Sequence, residues 1–352
     1  MNVNVYVTRK QGDVLNPTIK DVAKHANVSI ATVSRIVNGL PGYSEETKKK
    51  VQRSIEALGY QPNAIARGLI NKRTQTIGVL FPDVSGMLSS EVLEGVENAA
   101  HDGGFSVIVC NTTSSGKRTV KYLRLLQEKR VDGIIFASED VKEEYYKIFQ
   151  EMKVPVVLVS TASPKYDLPF VRVNDFDGAF QATEYLIRKG HKEIGMIGGS
   201  DEDPIAGVPR MQGFQKALES NGLSFTENHI TKNEGYRFQN GKESLPSLLK
   251  KLPGMTALFA ASDEMAIGAM SAAHQLGIKV PEELSIIGYD NLKIAEMCYP
   301  PLTTVSQPLK DMGQTSGEML VSLIKGEQQE AKSRYMPFSI VERQSVSDFH
   351  DK

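Results

Sequence analysis

Between Thr76 and Asn291 the sequence writes one pattern twice: short apolar runs alternating with helical stripes. The first half reads TIGVLFPD, a helix through Val92, Val96 and Ala99, FSVIVCNT, a helix around Tyr122 to Leu126, VDGIIFAS, and a further helix before VPVVLVS. The second reads EIGMIGGS, a helix through Phe214 to Leu218, a segment near His229 and Ile230, and a helix near Leu245 to Leu249. MTALFAAS, a helix over Met265 to Leu276, and LSIIGYDN complete it. Strands alternating with helices form parallel sheets with right-handed crossovers, so two α/β subdomains facing each other are expected. Open parallel sheets bind ligands beyond the carboxyl ends of their strands. Those ends carry Pro82-Asp83, Ser138 and Ser160 in the first half, and Gly199-Ser200, Ser262-Asp263 and Asp290-Asn291 in the second. Such a set suits a small hydroxylated or charged molecule held in a cleft. Arg210, at the entrance to a second-half helix, is a candidate bidentate donor. For any single Asp or Ser a helix cap or a turn is at least an equal reading.

Ahead of this body the texture differs. Residues 1–75 hold 12 Lys and Arg against 5 Asp and Glu, a net of +7, whereas the remainder holds 29 against 37, a net of −8. A basic head on an acidic body meets a polyanion with the head alone. Three short helices are expected in that head. Thr18 with Asp21 forms a variant capping box ahead of the stripe Ile19, Val22, Ala23, Ala26. Ser29 caps a second helix with Val33, Ile36 and Val37 inward, and Ser44 a third with Val51, Ile55 and Leu58, stopped at Gly59. The first two, joined through Ala26-Asn27-Val28, read as a helix-turn-helix. The outward side of the second is small, as entry into a major groove requires. Ile30 and Ala31 suit thymine methyl groups, Arg35 suits guanine O6 and N7, and Ser29, Thr32, Ser34 and Asn38 suit phosphates or base edges. A three-helix protein-docking module is the competing reading.

PNAIARGLINKRT, Pro62 to Thr74, carries a short helix pattern with Ala64, Ile65 and Leu69 on one face, weakened by Gly68. Leu69 beside Arg67, Lys72 and Arg73 suits insertion into a minor groove; a plain linker with a solvated charge run is the alternative. Catalysis has no candidate constellation. GGSDEDPIAG is neither a dinucleotide fingerprint nor a phosphate loop, no GxSxG is present, and the six histidines lack triad or metal spacing. No cofactor or metal is expected. Cys110 and Cys298 make neither a disulfide framework nor a CxxC pair. The N-terminus lacks the apolar block of a signal peptide, and no apolar run reaches the roughly 18 to 20 residues of a membrane span, so a cytoplasmic protein is expected.

TIKDVAKHANVSIATVSRIVNG, YQPNAIARGL, KRVDGIIF, SDEMAIGAM, SIIGYDN and PPLTTVSQP occur in that order. Together they make the chain resemble the LacI/GalR family of bacterial transcriptional repressors over about residues 17–345, with head and hinge most similar to its catabolite-control members. The resemblance implies an α plus α/β chain: a helix-turn-helix head, a hinge helix and a two-subdomain periplasmic-binding-protein-like core. The implied divisions are an N-terminal extension over 1–17, the DNA-binding domain over 18–61, the hinge over 62–75, the core over 76–345 and a tail over 346–352. Within the core, the first subdomain takes about 76–174 and 308–333, and the second about 175–307 and 334–345. It implies a homodimer on a pseudo-palindromic operator, most readily a repressor of a carbohydrate or related catabolic operon, with a sugar, sugar acid, sugar phosphate or similar effector between the subdomains. A regulator controlled by a protein partner of the phosphocarrier type, a solute-binding protein and a sugar-modifying enzyme are the alternatives.

Position by position, Ile30, Ala31 and Arg35 match the family's base-reading residues, Leu69 its intercalating hinge leucine, and Thr18, Ser29, Thr32 and Asn38 its phosphate contacts. Arg210, Asp263, Asp290 and Gln307 match recurrent effector-pocket positions, with Ser262 and Tyr236 beside them. The chain also departs from the family. Leu88 and Ser89 stand where aromatic residues are common, and Ser160 where an acid is common, which weighs against a plain hexose. Glu318 replaces an arginine that catabolite-control relatives use toward a phosphorylated carrier protein; a carboxylate there repels phosphoserine. Residues 1–17 are read either as a disordered arm adding Arg9 and Lys10 to DNA affinity or as sequence upstream of a start near Leu15.

Overall fold

The computed structural model describes residues 17–60, 73–113 and 117–349. The chain divides between Thr74 and Gln75 into two compact units. Residues 1–16 of the N-terminal extension and 61–72 of the hinge pattern, Leu69 among them, lie outside the described residues.

In the first unit, α1 spans Ile19–Ala26, α2 Ile30–Val37 and α3 Glu45–Leu58. Each start has its donors satisfied locally. The Asp21 carboxylate accepts from the Thr18 backbone N–H (2.9 Å) and hydroxyl (2.7 Å), and Ser29 and Ser44 Oγ accept from the N–H groups of Thr32 (3.1 Å) and Thr47 (3.2 Å). Between α1 and α2 the chain turns on Asn27 in the left-handed region (φ 51°), which Asn tolerates better than most residues. Val22, Ala23, Ala26, Val33, Ile36 and Val51 form the core, closed by half-buried Ile19, Val28, Val37, Tyr43, Ile55, Leu58 and Tyr60. So small a core leaves each cap significant. Ser44→Ala is expected to lower the stability of this unit by about 1 kcal/mol, read as a shift of its urea transition; an unchanged midpoint would show the cap to be idle.

The second unit holds two sheets. The first has the order β11-β5-β4-β3-β1-β2, from β1 (Thr76–Phe81), β2 (Ser106–Asn111), β3 (Gly133–Ala137), β4 (Val156–Val159), β5 (Phe170–Arg172) and β11 (Arg334–Tyr335). The second has the order β12-β10-β9-β8-β6-β7, from β6 (Ile194–Gly198), β7 (Ile230–Lys232), β8 (Ala257–Ala260), β9 (Ser285–Asp290), β10 (Thr303–Ser306) and β12 (Ser339–Val341). Pairing is parallel throughout except β10 with β12. The chain crosses between lobes after β5, after β10 and after β11. Because Arg334 and Tyr335 pair with Val171 and Arg172, the last return to the second lobe follows position 335.

Helices cover both sheets. The first-lobe core is split, with α4 (Met87–Gly103) and α12 (Leu309–Lys325) on one side and α5 (Thr119–Lys129) and α6 (Glu143–Met152) on the other. The second-lobe core is one cluster under α7 (Asp175–Arg188), α8 (Gly207–Ser220), α9 (Phe238–Lys251) and α10 (Asp263–Gln275), with the short α11 (Ile294–Met297) following β9. A close approach fixes α4 on α12: a Cβ on Gly95 would stand 2.0 Å from the Lys310 carbonyl oxygen, and one on Gly313 2.0 Å from that of Val92. Cys110 and Cys298 are free thiols. Among the described residues no helix is long and apolar enough to cross a membrane.

Candidate functional site

The free face of α2 is built by what its other face buries. With Val33 and Ile36 in the core, Ile30, Ala31 and Arg35 are left in solvent, Ile30 45% exposed. Arg35 lies against the loop that follows α2: a Cβ on Gly42 (φ 110°) would stand 2.7 Å from its Nη1. Thr18 and Ser29 are exposed at the two helix starts, and Thr32 is half-buried with its hydroxyl 2.9 Å from Ser29 Oγ. Ser34 and Asn38 are half-buried and tied to each other, since Asn38 Nδ2 donates to the Ser34 carbonyl (2.7 Å). Part of the polar rim is therefore committed within the head itself.

In the second unit the carboxyl ends of the two sheets face one another, and the chemistry gathers at those of the second lobe. Arg210, on α8, is buried. Its Nε and Nη2 donate to Asp175 Oδ1 (2.9 and 2.8 Å), Nη1 donates to the Ala261 carbonyl, and the guanidinium lies 3.8 Å from the Tyr289 ring centroid. Asp175 Oδ2 accepts from Arg172 (2.7 Å), so one carboxylate serves two arginines. Burial opposes the charge on Arg210, but Asp175, Tyr289 and Asp290 together hold its pKa above the ordinary value. Asp290 lies 3.9 Å from the same guanidinium and accepts from Gln307 Nε2 (2.7 Å), which places Gln307 at the site. Its backbone is strained at φ 116°, with Asn291 also left-handed at 59°, and such strain concentrates at functional positions.

Burial pushes the Asp290 carboxyl up to about 7, Arg210 and the Gln307 hydrogen bond pulling it back. A folded pKa above the ordinary 3.8 means that the fold favours the protonated acid. Its contribution to stability is full below the ordinary value and is lost as pH rises through about 7. Relative to Asp290→Asn, the wild-type Tm is accordingly expected to fall as pH is raised from about 4 to about 8. A difference between the two proteins that stays constant over that range contradicts the assignment.

The other residues expected from sequence divide. Tyr236 lies in the site, its ring 5.9 Å from the Arg210 guanidinium and its hydroxyl donating to Asp203. Gly199 makes room for it, as a Cβ there would stand 2.2 Å from the Tyr236 hydroxyl. Ser262 Oγ donates to the Tyr236 carbonyl (2.8 Å) and accepts from the Met265 N–H (3.1 Å), capping α10. Asp263 is fully buried with both oxygens engaged: Oδ2 accepts from the Leu292 N–H (2.6 Å) and Oδ1 from the Thr304 hydroxyl (2.5 Å). It ties α10 to β9 and β10 rather than presenting a free oxygen. Burial and the neighbouring Asp290 raise its pKa well above the usual carboxylate range. Asn291 is held by Arg343 and Ser306, Ser138 and Ser160 sit at left-handed strand ends, and Ser200 donates to Glu234. Leu88 packs half-buried against the first-lobe core, beside buried Ser89.

Asp175, Arg172 and Asp203 were not expected. Asp203 accepts from the N–H groups of Ile205, Ala206 and Gly207 and so builds the entrance to α8. In sequence, Asp175 is an acid in the first turn of a helix capped by Asn174, and its spacing of three from Arg172 is the one local signal of a pair.

Comparison with known proteins decides the family. Residues 18–63 match the model of bacterial regulatory proteins, lacI family, and residues 183–346 that of a periplasmic binding protein-like domain. Catabolite control protein A of Priestia megaterium is 38% identical over 332 residues, covering 94% of this chain and 100% of that one. The chain belongs to the lacI family. This LacI-family protein is also 35% identical to the HTH-type transcriptional repressor PurR of Photorhabdus laumondii, over 94% of its own length and 97% of the relative. The lac repressor dimer bound to operator and the anti-inducer ONPF superposes with a TM-score of 0.85 at 27% identity, covering 95% of this chain and 100% of that one. A CelR–cellobiose complex gives 0.72 at 30% identity, covering 94% and 99%. The protein is a DNA-binding transcriptional regulator, not an enzyme.

Proposed function

We propose that this LacI-family regulator is a cytoplasmic homodimeric repressor of a carbohydrate or related catabolic operon, released from or held on a pseudo-palindromic operator by a small effector in the cleft. The observation that carries the reading is the bare face of α2, where Ile30, Ala31 and Arg35 stand in solvent on a strongly basic head. In this reading those three, with Leu69, contact bases, and Thr18, Ser29, Thr32, Ser34 and Asn38 contact phosphates. Arg210, Tyr236, Asp290 and Gln307 face the effector, while Ser262 and Asp263 hold the strand ends that present them. The operator-bound lac repressor dimer supports the homodimer, and the cellobiose bound by CelR supports an effector of the glycoside class. Glu318, exposed on α12 and bonded by Gln314 (2.7 Å), places a carboxylate where a phosphorylated carrier would be repelled. An effector switches such a protein only by binding two lobe arrangements with different affinity.

Selection of genomic fragments on the purified full-length protein tests the proposal. A recovered palindrome beside catabolic genes supports it and narrows the ligands for thermal-shift assay. Retention of fragments no better than random competitor, at low salt and with candidate ligands present or absent, sinks it.

A further inference from the structure

Arg237 opens α9 in the second lobe, and its guanidinium is divided between two carboxylates. Nη1 donates to Glu264 (2.9 Å), in the first turn of α10 on the same lobe. Nη2 donates to Oδ2 of Asp83, which stands just beyond β1 on the opposite lobe. Asp83 is itself held, because its Oδ1 accepts from the Ser85 N–H (2.9 Å) and hydroxyl (2.6 Å). Gly86 leaves the approach open: a Cβ there would come within 3.3 Å of Arg237 Nη2. Glu264 therefore aims the guanidinium and Asp83 receives it, and of these two pairs it is the Asp83 one that breaks when the lobes separate.

We propose that Arg237 is a latch that holds the effector cleft closed when it is empty and so sets how readily the lobes open. The Arg237 and Asp83 side chains are 42% and 41% exposed, so the latch is weak and screened by salt, as suits an element that must still let the cleft open for a ligand to enter. An effector that prefers the closed arrangement then binds a cleft that is already mostly formed and loses less of its affinity to closing it. This regulatory consequence rests on the cleft being the effector site; the latch itself does not.

The test uses the full-length protein with spin labels on the outer faces of the two lobes, at Lys129→Cys and Lys216→Cys in a Cys298→Ser background, read by pulsed dipolar spectroscopy. Arg237→Ala and Asp83→Asn are each expected to raise the open-to-closed ratio by about two- to five-fold. The double variant should open no further than either one, since both remove the same pair. Arg237→Lys should retain most of the closure, and Glu264→Gln should open the cleft less than Asp83→Asn. Added NaCl should open the wild type toward the variants and leave the variants unmoved. Distances in Arg237→Ala that match the wild type, or effects of the two single variants that add, overturn the proposal. A latch that behaves as stated in a cleft that takes up no ligand would instead sink the effector reading and leave the latch standing.

Discussion

Asp175→Ala is expected to destabilise the second unit by about 3–5 kcal/mol. Asp175 is buried, its two oxygens hold Arg210 and Arg172, and Arg210 is itself buried on a helix that begins more than thirty residues later. Removing the carboxylate takes away the largest of the charges that hold the Arg210 pKa up against burial, and because a guanidinium does not deprotonate in a protein it stays charged inside the fold without its main partner. An uncompensated buried charge costs far more than the intact pair contributes. Asp290, at 3.9 Å, offers partial relief, and because Asp175 raises the Asp290 pKa, the variant should ionise Asp290 at lower pH than the wild type. Urea denaturation of the full-length protein, followed through the transition of the second unit, measures the loss. Asp175→Asn, which keeps the shape and one acceptor oxygen, is the companion variant if the alanine protein fails to fold. A cost below about 1 kcal/mol for both would show that Arg210 is balanced by some other group.

Arg35→Ala is expected to weaken operator binding by about 1–3 kcal/mol and to relax the base preference at one pair in each half-site. Arg35 is exposed on α2 and takes no part in the head core, so the loss falls on recognition and not on folding. A change at a position proposed to contact phosphate, such as Ser29, should weaken binding evenly across sequences instead. Selection from a randomised half-site separates the two. If the preferred sequence is the same for Arg35→Ala and wild type, Arg35 reads no base.

The helix-turn-helix was legible because each part is specified locally. Thr18 with Asp21, Ser29 and Ser44 satisfy the first amide groups of their own helices, and Val22, Val33 and Val51 fall on the faces their spacing dictates. The repeated strand–helix texture specified the paired parallel sheets in the same way, and the rule that ligands meet strand ends led to Asp290 and to the region of Arg210. The site was legible only in part. Ser262, Asp263 and Asn291 stand at strand ends as expected, but their polar groups are used within the fold, and sequence does not say which hydrogen bonds a buried carboxylate will accept. Nothing in the sequence singles out Asp175, an acid in the first turn of a helix, or Arg237, the residue ahead of one.

Local periodicity and capping, which act over one helical turn or one strand, were enough to establish a basic three-helix head before a doubled α/β body. Which carboxylate neutralises Arg210, and which one Arg237 reaches across the cleft, was decided only in three dimensions. Those pairings join residues far apart in the chain, and their strength depends on burial and on the approach of two lobes, neither of which is a property of any local stretch of sequence.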